Sequence, residues 1–134
     1  MAQMMSKVIA LDHVQIAMPV GQEQTARAFY GGLLGLKELP KPSAQNQHGG
    51  VWFECGSLQL HLGVETGFRP AKKAHPAFIV DDLTQMLKKL AAAGFPTTDV
   101  EQVSRADRAF TEDDFGNRIE LVQPRHQASG PLDV

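Results

Sequence analysis

Residues 110–124, FTEDDFGNRIELVQP, combine a turn-rich connection with a strand whose two faces differ in character. Successive side chains of a strand point to opposite faces, so Ile119 and Leu121 share an apolar face while Arg118 and Glu120 share the other. Charged side chains are rarely placed over a hydrophobic core. We therefore expect Glu120 to face a polar cavity, with the apolar face packed against a helix.

The same division of faces occurs in an earlier strand, Leu58–Val64 (LQLHLGV). There His61 corresponds to Glu120, 59 positions later, and leucines occupy the opposite face. A second correspondence joins His13 and His75, which lie 62 positions apart, each in the first predicted strand of its half. The similar spacings indicate two copies of one structural unit.

Each copy is predicted to hold a strand, a helix and three more strands. Apolar residues recur at helical spacing in both predicted helices, and a glycine follows each of them. The sequence thus predicts an α+β fold of two tandem βαβββ modules in a single domain over residues 1–134. Module one spans about residues 8–65, module two about 74–124, and a flexible tail covers 125–134. The predicted elements are strand 8–18, helix 22–34, strands 36–39, 51–55 and 58–64, then strand 75–80, helix 81–93, and strands 96–103, 106–112 and 117–123.

Composition limits the kind of protein. A chain of 134 residues, 43% of them hydrophobic, can bury a core of its own. The net charge of −2 gives no strong attraction to nucleic acid or to an anionic membrane, so we expect neither as a partner. A single cysteine, Cys55, excludes a disulfide framework. With neither a secretory leader nor an apolar run of about 20 residues in view, we expect a cytoplasmic protein.

Four side chains of metal-ligand type occupy corresponding places in the two modules: His13, His61, His75 and Glu120. One strand histidine alone is more often structural, but two pairs at matching positions can meet across a pseudo-twofold axis. Three imidazoles and a carboxylate suit Zn²⁺, Ni²⁺, Co²⁺, Mn²⁺ or Fe²⁺, whereas Ca²⁺ and Mg²⁺ prefer oxygen ligands. We predict that these four residues bind one divalent ion. Glu120 is either a permanent ligand or also the catalytic general base.

The repeat resembles the vicinal oxygen chelate superfamily, which includes glyoxalase I, methylmalonyl-CoA epimerase, fosfomycin-resistance enzymes, extradiol dioxygenases and bleomycin-resistance proteins. The resemblance implies a glyoxalase-like fold, in which paired modules form an incomplete barrel around one divalent metal. The first and fourth strands of each module supply the ligands, at the positions of His13, His61, His75 and Glu120. Bacterial glyoxalase I has a glutamate where this chain has His61. The segments that carry the resemblance are LDHVQIAM (11–18), ARAFYGGLLGL (26–36), GSLQLHLGVE (56–65), AHPAFIVDDL (74–83) and FTEDDFGNRIELVQP (110–124).

Five further side chains are predicted to line a substrate pocket: Gln15, Trp52 and Gln59 in module one, and Arg108 and Arg118 in module two. The two glutamines can hydrogen-bond to a substrate but cannot accept its proton at neutral pH. Arg118 can bind an anionic substrate group or orient the nearby carboxylate, or else lie in solvent. Trp52 can line the pocket or pack in the core.

Three classes of function remain open. The first is a metal-dependent enzyme that acts on a small oxygen-bearing substrate chelated to the metal, by isomerase, lyase or transferase chemistry. The second is a non-haem Fe(II) dioxygenase, in which two histidines and a glutamate form a facial triad. The third is a metal-free binding protein like the bleomycin-resistance proteins. The modules can pair within one chain or between two, and we expect a homodimer. The loop 43–50 is a candidate lid.

Overall fold

The computed structural model describes residues 4–42 and 48–125. No helix in these two ranges is long and apolar enough to cross a membrane. The elements are β1 (His13–Met18), α1 (Glu23–Ala26, continued as a π-helix over Arg27–Leu33), β2 (Lys37–Leu39), β3 (Val51–Cys55), β4 (Leu58–Val64), β5 (Ala77–Ile79), α2 (Leu83–Ala92), β6 (Glu101–Val103), β7 (Ala106–Glu112) and β8 (Arg118–Pro124).

The two modules form two four-stranded sheets with equivalent strand orders, β1-β4-β3-β2 and β5-β8-β7-β6. In each sheet the first strand is parallel to the fourth, and the other pairs are antiparallel. Neither sheet closes on itself, and β1 and β5 are end strands. The prediction of an α+β fold with two tandem βαβββ modules is confirmed, and the unclosed sheets agree with an incomplete barrel.

Each sheet packs one face against the helices. Leu60 and Leu62 of β4 belong to the same buried cluster as Ile119 and Leu121 of β8, together with side chains of both helices. The predicted apolar faces of these two strands are therefore correct. We call the opposite face, which carries the polar side chains of the same strands, the polar face of each sheet.

The first helix changes type along its length. The Leu34 N–H donates to the Phe29 carbonyl, five residues back, over 2.9 Å. The apolar spacing predicts an α-helix over 22–34, and its extent is nearly correct. Its second half is a π-helix, however, and the adjacent glycines Gly31 and Gly32 lower the preference for regular α-helix there.

The second helix is capped at both ends, and the glycine at its C-terminal end was predicted. The Asp82 carboxylate accepts a hydrogen bond from the Gln85 N–H over 3.0 Å, which satisfies a free donor of the first turn. The Leu83 N–H donates to the side chain of Gln123 in β8 over 2.7 Å. Gly94 follows the helix with a φ of 90°, a left-handed conformation that ends helices and favours glycine.

A buried hydrogen-bond network joins the two modules. The Tyr30 hydroxyl donates to Asp113 Oδ2 over 2.6 Å. The Asp113 carboxylate also accepts from the Phe115 N–H and from the backbone and side chain of Asn117. Asn117 Nδ2 further donates to the Ala17 carbonyl in β1. Burial, and then the neighbouring Asp113 carboxylate, raise the pKa of Tyr30 well above its usual value, so the phenol remains a donor.

We expect the substitution Tyr30→Phe to lower the free energy of unfolding by about 1.5–3 kcal/mol, the usual contribution of a hydrogen bond to a charged group. The ring still fills its site, but the buried Asp113 carboxylate loses one of its donors. Urea unfolding measures the change. Ser57→Ala, which removes an exposed hydroxyl from the β3–β4 turn, is the control and should change stability by less than about 0.5 kcal/mol. A Tyr30→Phe protein as stable as this control would contradict the role of the network.

Three predicted strand starts are wrong. The predicted strand 8–18 begins only at His13. Its partner there is Gln59, the second residue of β4, so β4 has almost no residues left to pair with positions 8–12. His75 lies two residues before β5 rather than in the predicted strand 75–80, because Pro76 cannot donate a ladder hydrogen bond.

The predicted strand 96–103 is also too long. Only Glu101–Val103 forms a strand, preceded by an isolated bridge between Thr97 and Thr111. The Thr98 hydroxyl oxygen accepts a hydrogen bond from the Phe110 N–H, where a regular ladder would have a backbone carbonyl. Most of the candidate lid, at positions 43–47, lies outside the described residues, as does the predicted tail beyond residue 125.

Candidate metal and substrate site

His13 on β1 and His61 on β4 are neighbours on the polar face of module one. Their rings are stacked, with centroids 4.3 Å apart and planes inclined by 16°. The ring of Trp52 stacks on His61 at 3.9 Å and 3°. Trp52 and His61 are directly opposite in the β3–β4 ladder, which brings these two rings together. The result is a three-ring stack, Trp52–His61–His13, with the 5% exposed His61 in the middle.

This environment favours a neutral His61. Burial of the ring, and then the neighbouring His13, lower the pKa of His61 from its usual value. A neutral imidazole has the free electron pair that a metal ligand requires. Gln59 contacts His61 Nε2 over 2.8 Å, and the Asp12 carboxylate contacts His13 Nδ1 over 2.9 Å. Contacts of this kind orient a histidine ring and leave its other nitrogen available.

The second pair of predicted ligands lies on module two. His75 Nε2 is 2.8 Å from Glu120 Oε1. His75 Nδ1 is 2.9 Å from the Lys73 carbonyl oxygen, which can only accept, so Nδ1 carries a hydrogen. In a neutral His75 the electron pair of Nε2 then faces the carboxylate, and the two acceptors need a cation between them or beside them. A proton or a metal ion meets this need.

Two arginines surround this pair. Arg108 Nη1 lies 3.6 Å from Glu120 Oε2, and Arg108 Nε lies 3.5 Å from a carboxylate oxygen of Glu101. The guanidinium carbon of Arg118 lies 4.1 Å from the centroid of the Phe110 ring. Phe110 is opposite Glu120 in the β7–β8 ladder and therefore on the same face.

Within one chain the predicted ligands remain two separate pairs. Across residues 4–42 and 48–125, no three His, Cys, Asp or Glu side chains form a group that could hold a metal ion. The stacked rings of His13 and His61 must also turn, since a metal ion lies in the plane of each imidazole that binds it. Binding of one ion by all four residues therefore stays a prediction. It requires His13 and His61 of module one to face the His75–Glu120 pair of a module two.

Comparison with known proteins identifies the family. Residues 10–121 match the model of the Glyoxalase/Bleomycin resistance protein/Dioxygenase superfamily. The chain belongs to this superfamily. A crystal structure of a glyoxalase family protein from Bacillus anthracis shares 43% sequence identity and has a TM-score of 0.84, over 91% of this chain and 100% of the other. A search of curated proteins found no match.

More distant structures share the fold. Lactoylglutathione lyase from Agrobacterium tumefaciens is 21% identical, with a TM-score of 0.62 over 88% of this chain and 96% of the other. A fosfomycin resistance protein from Listeria monocytogenes is 13% identical, with a TM-score of 0.69 over 87% of this chain and 94% of the other. At these identities, the likeness to the two structures concerns the fold and not the activity.

In this glyoxalase-superfamily chain the five predicted pocket residues lie on or beside the polar faces. Trp52 belongs to the ring stack rather than to the core, and Gln59 contacts His61. Gln15 and Arg118 line a cleft of about 520 Å³ that runs beside β1 and also includes His75.

Phe110 was not among the predicted pocket residues, although it lies between Arg108 and Arg118. Its ring meets the His75 ring edge-on, with centroids 5.5 Å apart. Its position two residues after Arg108 on β7 places both side chains on one face, which is the signal that could have found it.

Proposed function

We propose that this protein is a metal-dependent enzyme that acts on a small oxygen-bearing substrate chelated to a divalent metal ion, by isomerase, lyase or transferase chemistry. The observation that carries the proposal is the His75–Glu120 pair, with its two acceptor atoms 2.8 Å apart. Neighbouring ligands of one ion have a similar separation, about 3 Å, when each bond is about 2.0–2.2 Å long. His13 and His61 occupy the corresponding positions of the other sheet.

The donor set supports Zn²⁺, Ni²⁺, Co²⁺, Mn²⁺ or Fe²⁺ as the ion, as three neutral imidazoles and a carboxylate suit borderline divalent metals. When bound, such an ion supplies Lewis acidity that polarises two adjacent substrate oxygens and stabilises negative charge as it develops.

The side chains around the ion have separate tasks in this proposal. Glu120 Oε1 faces His75, so Oε2 is the oxygen left to accept a substrate proton, 3.6 Å from the Arg108 guanidinium. Gln15 and Gln59 donate hydrogen bonds to the substrate and transfer no proton. Trp52 covers one face of His61 and excludes water from it.

We further propose a homodimer in which module one of one copy faces module two of the other. End strands with unpaired edges are available for pairing in β1 and β5. Large apolar side chains are exposed beside these edges, with Ile9 at 88%, Leu11 at 62% and Ile79 at 68%. Exposed apolar surface of this kind is a common feature of protein interfaces. Two such sites per dimer would each join His13 and His61 of one copy to His75 and Glu120 of the other.

The single-domain organisation, with modules at about 8–65 and 74–124, is part of the same proposal. The buried cluster that includes side chains of both modules supports it. A cytoplasmic location is also part of this proposal, and the single cysteine supports it.

The direct test is metal titration of the EDTA-treated full-length chain, followed through Trp52, its only tryptophan. We expect about one Ni²⁺ or Co²⁺ per chain and a clear loss of tryptophan emission, since these ions would bind to the His61 ring on which Trp52 stacks. Excess metal should also raise the melting temperature, because binding at 100 times the dissociation constant adds about 2.7 kcal/mol of stability.

The control for this titration is His126→Ala, which removes a histidine that the proposal does not use. It should bind metal as the unaltered chain does, whereas His61→Ala should lose the emission change. A protein that binds none of Mn²⁺, Fe²⁺, Co²⁺, Ni²⁺ or Zn²⁺ would instead fit a metal-free binding protein. Oxygen consumption with catechols in the presence of Fe²⁺ would favour the dioxygenase.

A further inference from the structure

We propose that Arg118 binds an oxyanion group of the substrate, a carboxylate or a phosphonate, beside the metal site. This inference rests on the proposed function and names its substrate class. The planar guanidinium lies over the Phe110 ring, 4.1 Å from the centroid. A guanidinium whose central carbon lies over a ring still has N–H groups free, and these match the two oxygens of an oxyanion.

Arg118 differs from the nearby Arg108 in its ion pairs. Arg108 lies between two carboxylates, Glu101 at 3.5 Å and Glu120 at 3.6 Å, and they offset its charge. Arg118, in contrast, makes no ion pair with any carboxylate in the described part of the chain. Its charge is half-buried and lies against an aromatic ring. Glu112 is directly opposite Arg118 in the β7–β8 ladder, but its side chain is exposed and forms no ion pair with the guanidinium. An anionic ligand would provide the missing partner.

Arg118 lines two separate cavities. A cavity of about 170 Å³ is lined by Arg118, Phe110, Thr97, Thr98 and Thr111 among others. The Thr111 hydroxyl is buried, at 2% exposure of the residue, and has no hydrogen-bond partner within the described ranges. A buried hydroxyl without a partner is costly, so it indicates a polar ligand or water in this cavity.

The second space is the cleft of about 520 Å³, which Arg118 shares with His75 and Asn117. Glu112 lines the smaller cavity, but its side chain is exposed and makes no ion pair with Arg118 among the described residues. We expect the oxyanion on the side of the larger cleft, because a second guanidinium, Arg69, lines it together with His75 and Asn117. The Glu65 carboxylate also lines this cleft but makes no ion pair with Arg118.

The position of Arg118 limits the size of the substrate. Arg118 and Glu120 are two residues apart on β8, so their Cα atoms are about 7 Å apart. A molecule that chelates the ion through two adjacent oxygens would reach Arg118 with an oxyanion only a few bonds away. The substrate class is thus a small acid that carries an anionic group in addition to its two chelating oxygens.

The first experiment asks whether Arg118 binds anions without the metal. Acetate and inorganic phosphate are titrated separately into the full-length chain, before and after EDTA, while the Nε–Hε signals of its arginines are followed by NMR. We expect the Arg118 signal, assigned by its absence in Arg118→Lys, to shift with at least one of the two anions. The stronger response distinguishes a carboxylate from a phosphonate. If Arg118 moves no more than Arg27, which is already paired with Glu38 at 3.0 Å, the proposal is overturned.

The second experiment uses the metal-loaded protein with malate and lactate, which chelate through the same pair of oxygens and differ by one carboxylate. We expect malate to bind about tenfold more tightly than lactate, the usual advantage of one charge-assisted hydrogen-bonded pair, and Arg118→Gln to abolish the difference. Arg27→Gln, the matched charge control, should retain it. An equal preference in Arg118→Gln and Arg27→Gln would overturn the proposal. Because the NMR titration needs no metal, failure of the metal proposal would leave that result unchanged, so the two failures are distinguishable.

Discussion

The substitution Glu120→Gln is expected to lower the affinity for Ni²⁺ or Zn²⁺ by at least about 100-fold, because even side chains that merely orient a ligand contribute 10- to 100-fold. The amide keeps the size of the carboxylate but removes the negative charge 2.8 Å from His75 Nε2. It also leaves Arg108 with one carboxylate instead of two. Competition with a chromophoric chelator measures the affinity, and circular dichroism confirms that the variant is folded.

Glu101→Gln is the matched control for this measurement. Glu101 and Glu120 both lie near Arg108, but only Glu120 contacts His75. We expect Glu101→Gln to bind metal within about threefold of the unaltered chain, because an exposed ion pair contributes less than about 1 kcal/mol. If the two variants lost affinity equally, the loss would come from the Arg108 ion pairs, and Glu120 would not be a ligand.

Much of the candidate site was predictable because its strands have two unlike faces. Ile119 and Leu121 are fully buried, so Glu120 between them has to lie on the opposite face. The same reasoning places His61 between Leu60 and Leu62. The duplication then predicts that His13 and His75 lie beside these residues, since the first strand of each module is parallel to the fourth.

Other features depend on pairing between distant strands and were not predictable from local patterns. The three-ring stack exists because Trp52 is opposite His61 in the β3–β4 ladder, a register that a short turn determines. β1 begins at His13 rather than at residue 8 because His13 pairs with Gln59, the second residue of β4, which leaves almost no strand for earlier residues to pair with. The network of Tyr30 and Asp113 crosses 83 positions of sequence, and no periodicity reveals it.

The arrangement of the modules can be tested by complementation between two inactive chains. One chain carries His13→Ala and His61→Ala, and the other carries His75→Ala and Glu120→Gln. Each alone is expected to bind almost no metal. Co-expressed with different tags and purified as a heterodimer, they should bind about half as much as the unaltered dimer, since one of the two shared sites is then intact.

This recovery follows only if each site is built from two chains. In the heterodimer, one site would combine both altered modules, while the other would combine the unaltered module one of the second chain with the unaltered module two of the first. If the sites were built within single chains, every site would lack two ligands and the heterodimer would bind no metal. Separation of the four predicted ligands into two pairs within the described chain favours recovery. The Tyr30–Asp113 network is unaltered in both chains, so a negative result could not be attributed to loss of this contact between modules.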